Sequence, residues 1–258
     1  MHNRTGCLTA LGRQAKARGD KAFAKDNHMK RSEINRRIDE AIAFCREREF
    51  HLPTWATWSP DDWRQVGHEA DEVRERGLGW DLTDFGSGNY ERRGLLLFTI
   101  RNGGLTEERD AYVKDYCEKL LLIGEGQVTP MHFHWSKMED IINRGGGRLV
   151  IELWQADPET EELASDVEMT VSIDGIERTV PAGGKVVLDA GESITLPPYL
   201  YHSFWGAEGG GMVLAGEVSR VNDDARDNRF LEPLPRFPVI EEDEPPRYVL
   251  CTEYPPAP

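Results

Sequence analysis

Residues 126–146 read GQVTPMHFHWSKMEDIINRGG, and the order of chemistry within this stretch decides the fold. His132 and His134 stand two apart, and Glu139 follows the second histidine by five. Side chains on a β-strand alternate between faces, so both imidazoles project from the same one. Two imidazoles, joined by a carboxylate arriving from the following turn, can converge on one divalent cation. Met131, Phe133 and Trp135 take the opposite parity and face a sheet-packing layer. Gly126, six residues before His132, and Gly146, seven after Glu139, frame the cluster and make it far more specific than His-x-His alone.

Of the seven histidines only His202 follows Glu139, and it fits as a fourth ligand. It sits in GESITLPPYLYHSFWG, residues 191–206: a turn at Gly191, an alternating strand carrying Ile194 and Leu196, then a corner at Pro197 and Pro198. Two such segments separated by a strand-rich stretch resemble the layout of a cupin barrel. Residues 126–146 match the first cupin motif, G-x5-H-x-H-x4-E-x6-G, at every fixed position. The second motif, G-x5-P-x-G-x2-H-x3-N, is matched at Gly191, Pro197 and His202. Tyr199 stands there in place of Gly and Gly206 in place of Asn, which loosens the turn but keeps the ligand.

A chain of 258 residues accommodates one barrel with flanking elements. Charged residues make up 30% and the mean hydropathy is −0.57, and no apolar run approaches the roughly 18 residues of a membrane span. A net charge of −15 repels a phosphate backbone, so neither nucleic acid nor membrane is expected as a partner. Residues 1–30 run against this balance, with seven Lys or Arg against two Asp. They lack a sustained apolar stripe, so residues 1–28 read as a disordered extension, with Met29 as a natural start. Cys7, Cys45, Cys117 and Cys251 form no CxxC pair and read as reduced thiols of a cytoplasmic protein.

Residues 29–93 read as a helical part packing on the barrel, and residues 94–258 as the barrel with a C-terminal extension, together one structural domain. Ser32 is expected to open a helix whose stripe is Ile34, Ile38, Ala41, Ile42 and Cys45. A second helix is expected to start at Ser59 and Pro60, with Trp63, Val66, Ala70 and Val73 on its buried face, and to stop at Gly77. Strands are expected at 95–100, 117–123, 148–155, 167–173, 176–180, 185–188, 193–196 and 212–219, with a two-residue hairpin turn at Asp174 and Gly175. This pattern suggests a mainly β, antiparallel jelly roll or barrel, and the resemblance of the two motifs implies that it is of cupin type. The acidic run Glu241, Glu242, Asp243 and Glu244 reads as solvated surface.

Beyond the metal motifs, the segments TPMHFHWSKMEDIINRGGG, LYHSFWG and GEVSRVNDDARDN, together with HLP and GLGWDLTDFG, resemble the D-lyxose isomerases of the cupin superfamily over residues 29–258. The resemblance implies aldose–ketose isomerisation of a monosaccharide, D-lyxose to D-xylulose with D-mannose to D-fructose as a second pair. It also implies Mn2+, and cupin barrels commonly pair into homodimers. Transfer of a proton between C2 and C1 through a cis-enediol needs a base and a neutralising charge for the enediolate. Lys137, between two ligands, is a candidate cation for this role. Glu217, on a strand after His202, is the candidate base, with Glu232 as its alternative, and Asp224 is a candidate for holding sugar hydroxyls. Two rivals share the barrel: a non-haem dioxygenase using the same three-His, one-Glu set, and a sugar-binding cupin without turnover.

Overall fold

Alternation along the strands sorts side chains between a shared interior and an outer face, and it is this parity that positions the site. A computed structural model describes residues 28–104, 114–223, 226–235 and 237–258. In chain order the first strands are β1 (His28–Lys30), β2 (Gly79–Thr83), β3 (Leu95–Asn102), β4 (Tyr116–Ile123), β5 (Thr129–Phe133), β6 (Glu139–Gly146), β7 (Leu149–Ala156) and β8 (Leu163–Ala164). They are followed by β9 (Met169–Ile173), β10 (Ile176–Val180), β11 (Gly184–Leu188), β12 (Ser193–Leu196), β13 (Leu200–Gly206), β14 (Val213–Arg220), β15 (Arg229–Phe230) and β16 (Val239–Glu241). The helices are α1 (Arg31–Glu47), α2 (Pro60–Trp63) and α3 (Asp71–Glu75).

One antiparallel sheet runs β10-β9-β12-β6-β14-β4-β3-β2, and a second runs β11-β7-β13-β5-β15 with β8 beside β7. Their inner faces meet in one apolar core. Leu97, Leu121, Ile141 and Ala215 come from the first sheet, and Ile151, Leu153, Leu188 and Phe204 from the second. This is the antiparallel cupin-type fold that the two motifs imply. Each expected strand is present to within two residues at either end. Asp174 and Gly175, at φ 50° and 79°, close the β9–β10 hairpin as expected. Among the described residues, no helix is long and apolar enough to cross a membrane.

The outer face of the larger sheet is covered by α1. Ile34, Ile38, Ala41 and Cys45 pack with Leu96, Phe98, Leu120, Leu122 and Leu214, as the apolar stripe requires. The start of this helix differs from expectation. Lys30 occupies the N-cap position without a side-chain cap, and Ser32 lies inside the first turn. Ser32 instead donates from its backbone N and its Oγ to Asp243, at 2.9 and 2.6 Å. Buried Arg31 binds Glu242 and Glu253, and Asn35 Nδ2 donates to Glu244 at 2.6 Å. The acidic run is therefore no passive surface. It supplies the negative charge that the N-terminal end of α1 favours. Arg31→Ala should cost about 1–3 kcal/mol in unfolding free energy, because two carboxylates lose their shared donor. Arg31 and Ser32 hold Glu242 and Asp243, respectively, below the usual carboxylate range. Such stability is complete above that range and lost as pH falls through the lowered values, so the penalty of Arg31→Ala should shrink on acidification in denaturant titrations.

The second expected helix begins as read and then breaks. Ser59 and Asp62 form a reciprocal capping box with Pro60 at the first turn. Past Trp63 the chain leaves helical geometry, Gly67 is extended at φ −80° and ψ −153°, and α3 follows a 3-10 turn at His68–Ala70. Trp63, Val66, Ala70 and Val73 still share one cluster, so the stripe reported burial while overstating helix length. Three longer strands went unread. β2, inside the part expected to be helical, is buried at all five positions and so shows no alternation. β6 begins at Glu139 itself, so a strand delivers the carboxylate that was assigned to a turn, and β13 carries His202. Of the expected N-terminal extension, residues 1–27 lie outside the described residues. His28 belongs to β1, which pairs in parallel with β16.

Candidate functional site

The β13–β5 ladder sets His202 directly opposite His132, with ring centroids 4.2 Å apart. Strands separated by 70 positions thereby place two imidazoles as cross-strand neighbours. His134 follows the end of β5, its centroid 5.3 Å from that of His132. Phe133 turns the other way and packs with Ala156 and Tyr201, as its parity required. Tyr199 adopts φ 61°, the left-handed conformation that the motif's glycine would take freely, while its ring stacks on Phe133 at 5.1 Å.

Each histidine directs its Nδ1 to a main-chain carbonyl: His132 to Pro130 at 2.7 Å, His134 to Asp227 at 2.5 Å and His202 to Leu200 at 3.0 Å. A carbonyl oxygen only accepts, so Nδ1 is the donor in each of these bonds, which leaves Nε2 as the ring nitrogen free to face the site. The three imidazoles are buried, and one ligand atom from each lies within 4.8 Å of the others. Glu139 comes from the opposite sheet, with Oε1 3.1 Å from His202 Nε2 and Oε2 3.5 Å from His134 Nε2. His202 Nε2 is buried and has no hydrogen-bond partner among the described residues. A set of three imidazoles and one carboxylate gathered this closely suits a divalent transition metal.

Electrostatics reinforce this arrangement. Burial alone would push the Glu139 carboxyl up, but the Lys137 ammonium and then His134 outweigh it and hold Glu139 well below the usual carboxylate range. Burial, followed by repulsion from His202 and His134, drives His132 well below the ordinary imidazole value. Both effects keep these groups in the deprotonated form that a metal requires.

Lys137 is buried, not a solvent-facing turn residue. Its Nζ lies 2.7 Å from Glu139 Oε2, 2.9 Å from Glu217 Oε1 and 3.3 Å from Asn222 Oδ1. Glu217 shares its parity on β14 with the core residues Val213 and Ala215, so it points into the barrel and lines the same cavity as His132, His134 and Glu139. Its direct partner across the β14–β4 ladder is Lys119, whose Nζ is 3.2 Å from Glu217 Oε1 and 2.7 Å from Asn222 Oδ1. Sequence reasoning missed Lys119. It has the parity of Leu121 and Ile123 on β4, and a lysine at an inward position of so apolar a strand was the available signal. Asn222 and Asp227 carry no comparable signal. Glu232, the alternative base, is exposed and sits 3.8 Å from Arg93, outside the set that lines the cavity. Asp224 lies outside the described residues.

An antiparallel two-sheet barrel with three histidines and a carboxylate gathered inside it defines a cupin with a metal-competent centre. The chain belongs to the D-lyxose isomerase family, whose model matches residues 29–254. It is 52% identical over 227 residues to the D-lyxose/D-mannose isomerase of Escherichia coli O157:H7, an alignment covering 88% of this chain and 98% of that relative. The D-lyxose/D-mannose isomerase of Serratia proteamaculans is 50% identical with the same coverage. Among solved structures, the L-ribose isomerase of Acinetobacter sp. DL28 in complex with L-ribose superposes with a TM-score of 0.55 at 15% identity. That match covers 83% of this chain and 99% of the other, a likeness of fold.

Proposed function

We propose that this protein is a metal-dependent aldose–ketose isomerase that converts D-lyxose to D-xylulose and also D-mannose to D-fructose. The observation that carries the reading is Glu217, a carboxylate inside the barrel held by two ammonium groups, one of which also touches the ligand Glu139. D-lyxose and D-mannose share their configuration at C2, C3 and C4, so one arrangement of groups around the reacting carbons serves both. His132, His134, Glu139 and His202 would hold the ion, Mn2+ in this reading, and when bound it supplies Lewis-acid charge to balance the enediolate.

The remaining steps belong to the chain. Glu217 takes the proton from C2 of the open-chain aldose and returns it to C1. Lys137 gives a proton to the oxygen at C1 as negative charge develops there and recovers one from the C2 hydroxyl as the ketone forms. Lys119, with its Nζ 3.2 Å from Glu217 Oε1, holds that carboxylate in place, and Asp224 would hold a sugar hydroxyl. The apolar wall that includes Phe85, Phe204 and Phe230 excludes water from the exchanging proton. The free sugar is the only partner this reading needs, and it goes with a cytoplasmic homodimer.

The test is turnover of a panel of free aldoses by metal-stripped protein resupplied with single cations. D-lyxose and D-mannose should be the best substrates and Mn2+ the most effective ion. In D2O, solvent deuterium should enter C1 of the ketose when the base exchanges its proton before returning it. Oxygen consumption without isomerisation would favour the dioxygenase, and binding without either would favour the sugar-binding cupin.

A further inference from the structure

Asp227 joins the two halves of the site through four contacts. Its main-chain oxygen accepts from His134 Nδ1 at 2.5 Å. Its carboxylate accepts from Ser136 N at 2.9 Å, Ser136 Oγ at 2.8 Å and Lys137 N at 2.9 Å. These donors lie in the short loop between β5 and β6, some 90 positions earlier in the chain. The loop must present His134 at its start, Lys137 in its middle and Glu139 at its end. His132, His202 and Glu139 are held by strands. Lys137 has no strand beneath it, so the path of its backbone depends on what the loop is tied to.

We propose that Asp227 is a positioning residue. Its carboxylate fixes the Ser136–Lys137 backbone so that the Lys137 ammonium reaches Glu139 and Glu217 together. The assignment rests on the isomerase reading above and adds the group on which the placement of Lys137 depends. Two backbone N–H groups and a hydroxyl converging on one carboxylate make a charge-assisted anchor, and supporting partners of this kind typically carry about 10–100-fold in activity or metal affinity. Because the main-chain oxygen that orients His134 survives any side-chain substitution, the loss should fall on turnover more than on metal binding.

Four measurements on the metal-loaded, full-length protein test this. Asp227→Ala should lower kcat by about 10–100-fold while metal stoichiometry is retained. Asp227→Asn fills the same volume but turns an NH2 toward a donor, so it should not restore wild-type kcat; full restoration would reduce the role to bulk and overturn the proposal. A double-mutant cycle with Lys137→Gln should be strongly non-additive, the lysine substitution costing at least tenfold less in the Asp227→Ala background. Additive losses would overturn the coupling. Hydrogen exchange gives a readout independent of catalysis: amides 136 and 137 should lose protection in Asp227→Ala while β5 and β13 keep theirs, and unchanged protection would also overturn it. A wild type that isomerises no aldose would instead remove the isomerase reading, leaving the exchange result to decide the anchor.

Discussion

Glu217→Gln should reduce turnover by about 10²–10⁴-fold, the usual cost of losing a positioned proton carrier, while the bound metal stays near stoichiometric. The substitution keeps the shape of a side chain that is only 6% exposed and leaves an oxygen to accept from the two lysines. What it removes is the ability to take a proton at neutral pH. The four candidate ligands are unchanged, and Glu217 is joined to Glu139 through the shared ammonium of Lys137. Elemental analysis alongside kcat separates the outcomes. Near-normal turnover would place the base elsewhere, and loss of metal together with turnover would make Glu217 a partner of the metal centre.

His202→Ala should leave a folded barrel whose affinity for a divalent ion falls by more than about 100-fold, beyond the penalty typical of a supporting residue. The imidazole is 1% exposed and faces both His132 and Glu139 Oε1. Its loss removes one of four donors and opens a small cavity between the sheets. His202→Gln fills more of that space and guards against a loss of fold. Dialysis against a weak chelator followed by elemental analysis reads the result, and stoichiometric metal in both variants would exclude His202 from the ligand set.

The candidate metal centre was legible because its spacing is local: two histidines two residues apart, the first on β5 and the second just past its end, with a carboxylate five residues on. Glu217 could be named but not oriented. β14 is apolar on both sides, Ala215 toward the interior and Leu214 under α1, so only the assembled sheet shows which way residue 217 points. Lys119 required the register that sets it opposite Glu217, which is a property of two strands together. Asp227 required a contact across some 90 positions and left no local trace. The same applies to the acidic run at 241–244. Its charges look solvated until α1, some 200 positions earlier, is placed beside them.

That last pairing has a bearing on how the protein is made. The partners of Arg31 in Glu242 and Glu253 lie 211 and 222 positions downstream. At a synthesis rate of about 5–20 residues per second, they leave the ribosome roughly 10–40 s after the arginine does. Until then α1 lacks its anionic anchor, and for most of that interval it also lacks the strand β14 under its apolar stripe. The nascent chain therefore carries an unfinished amphipathic helix through nearly all of its synthesis, and that stripe is the surface a chaperone would be expected to hold.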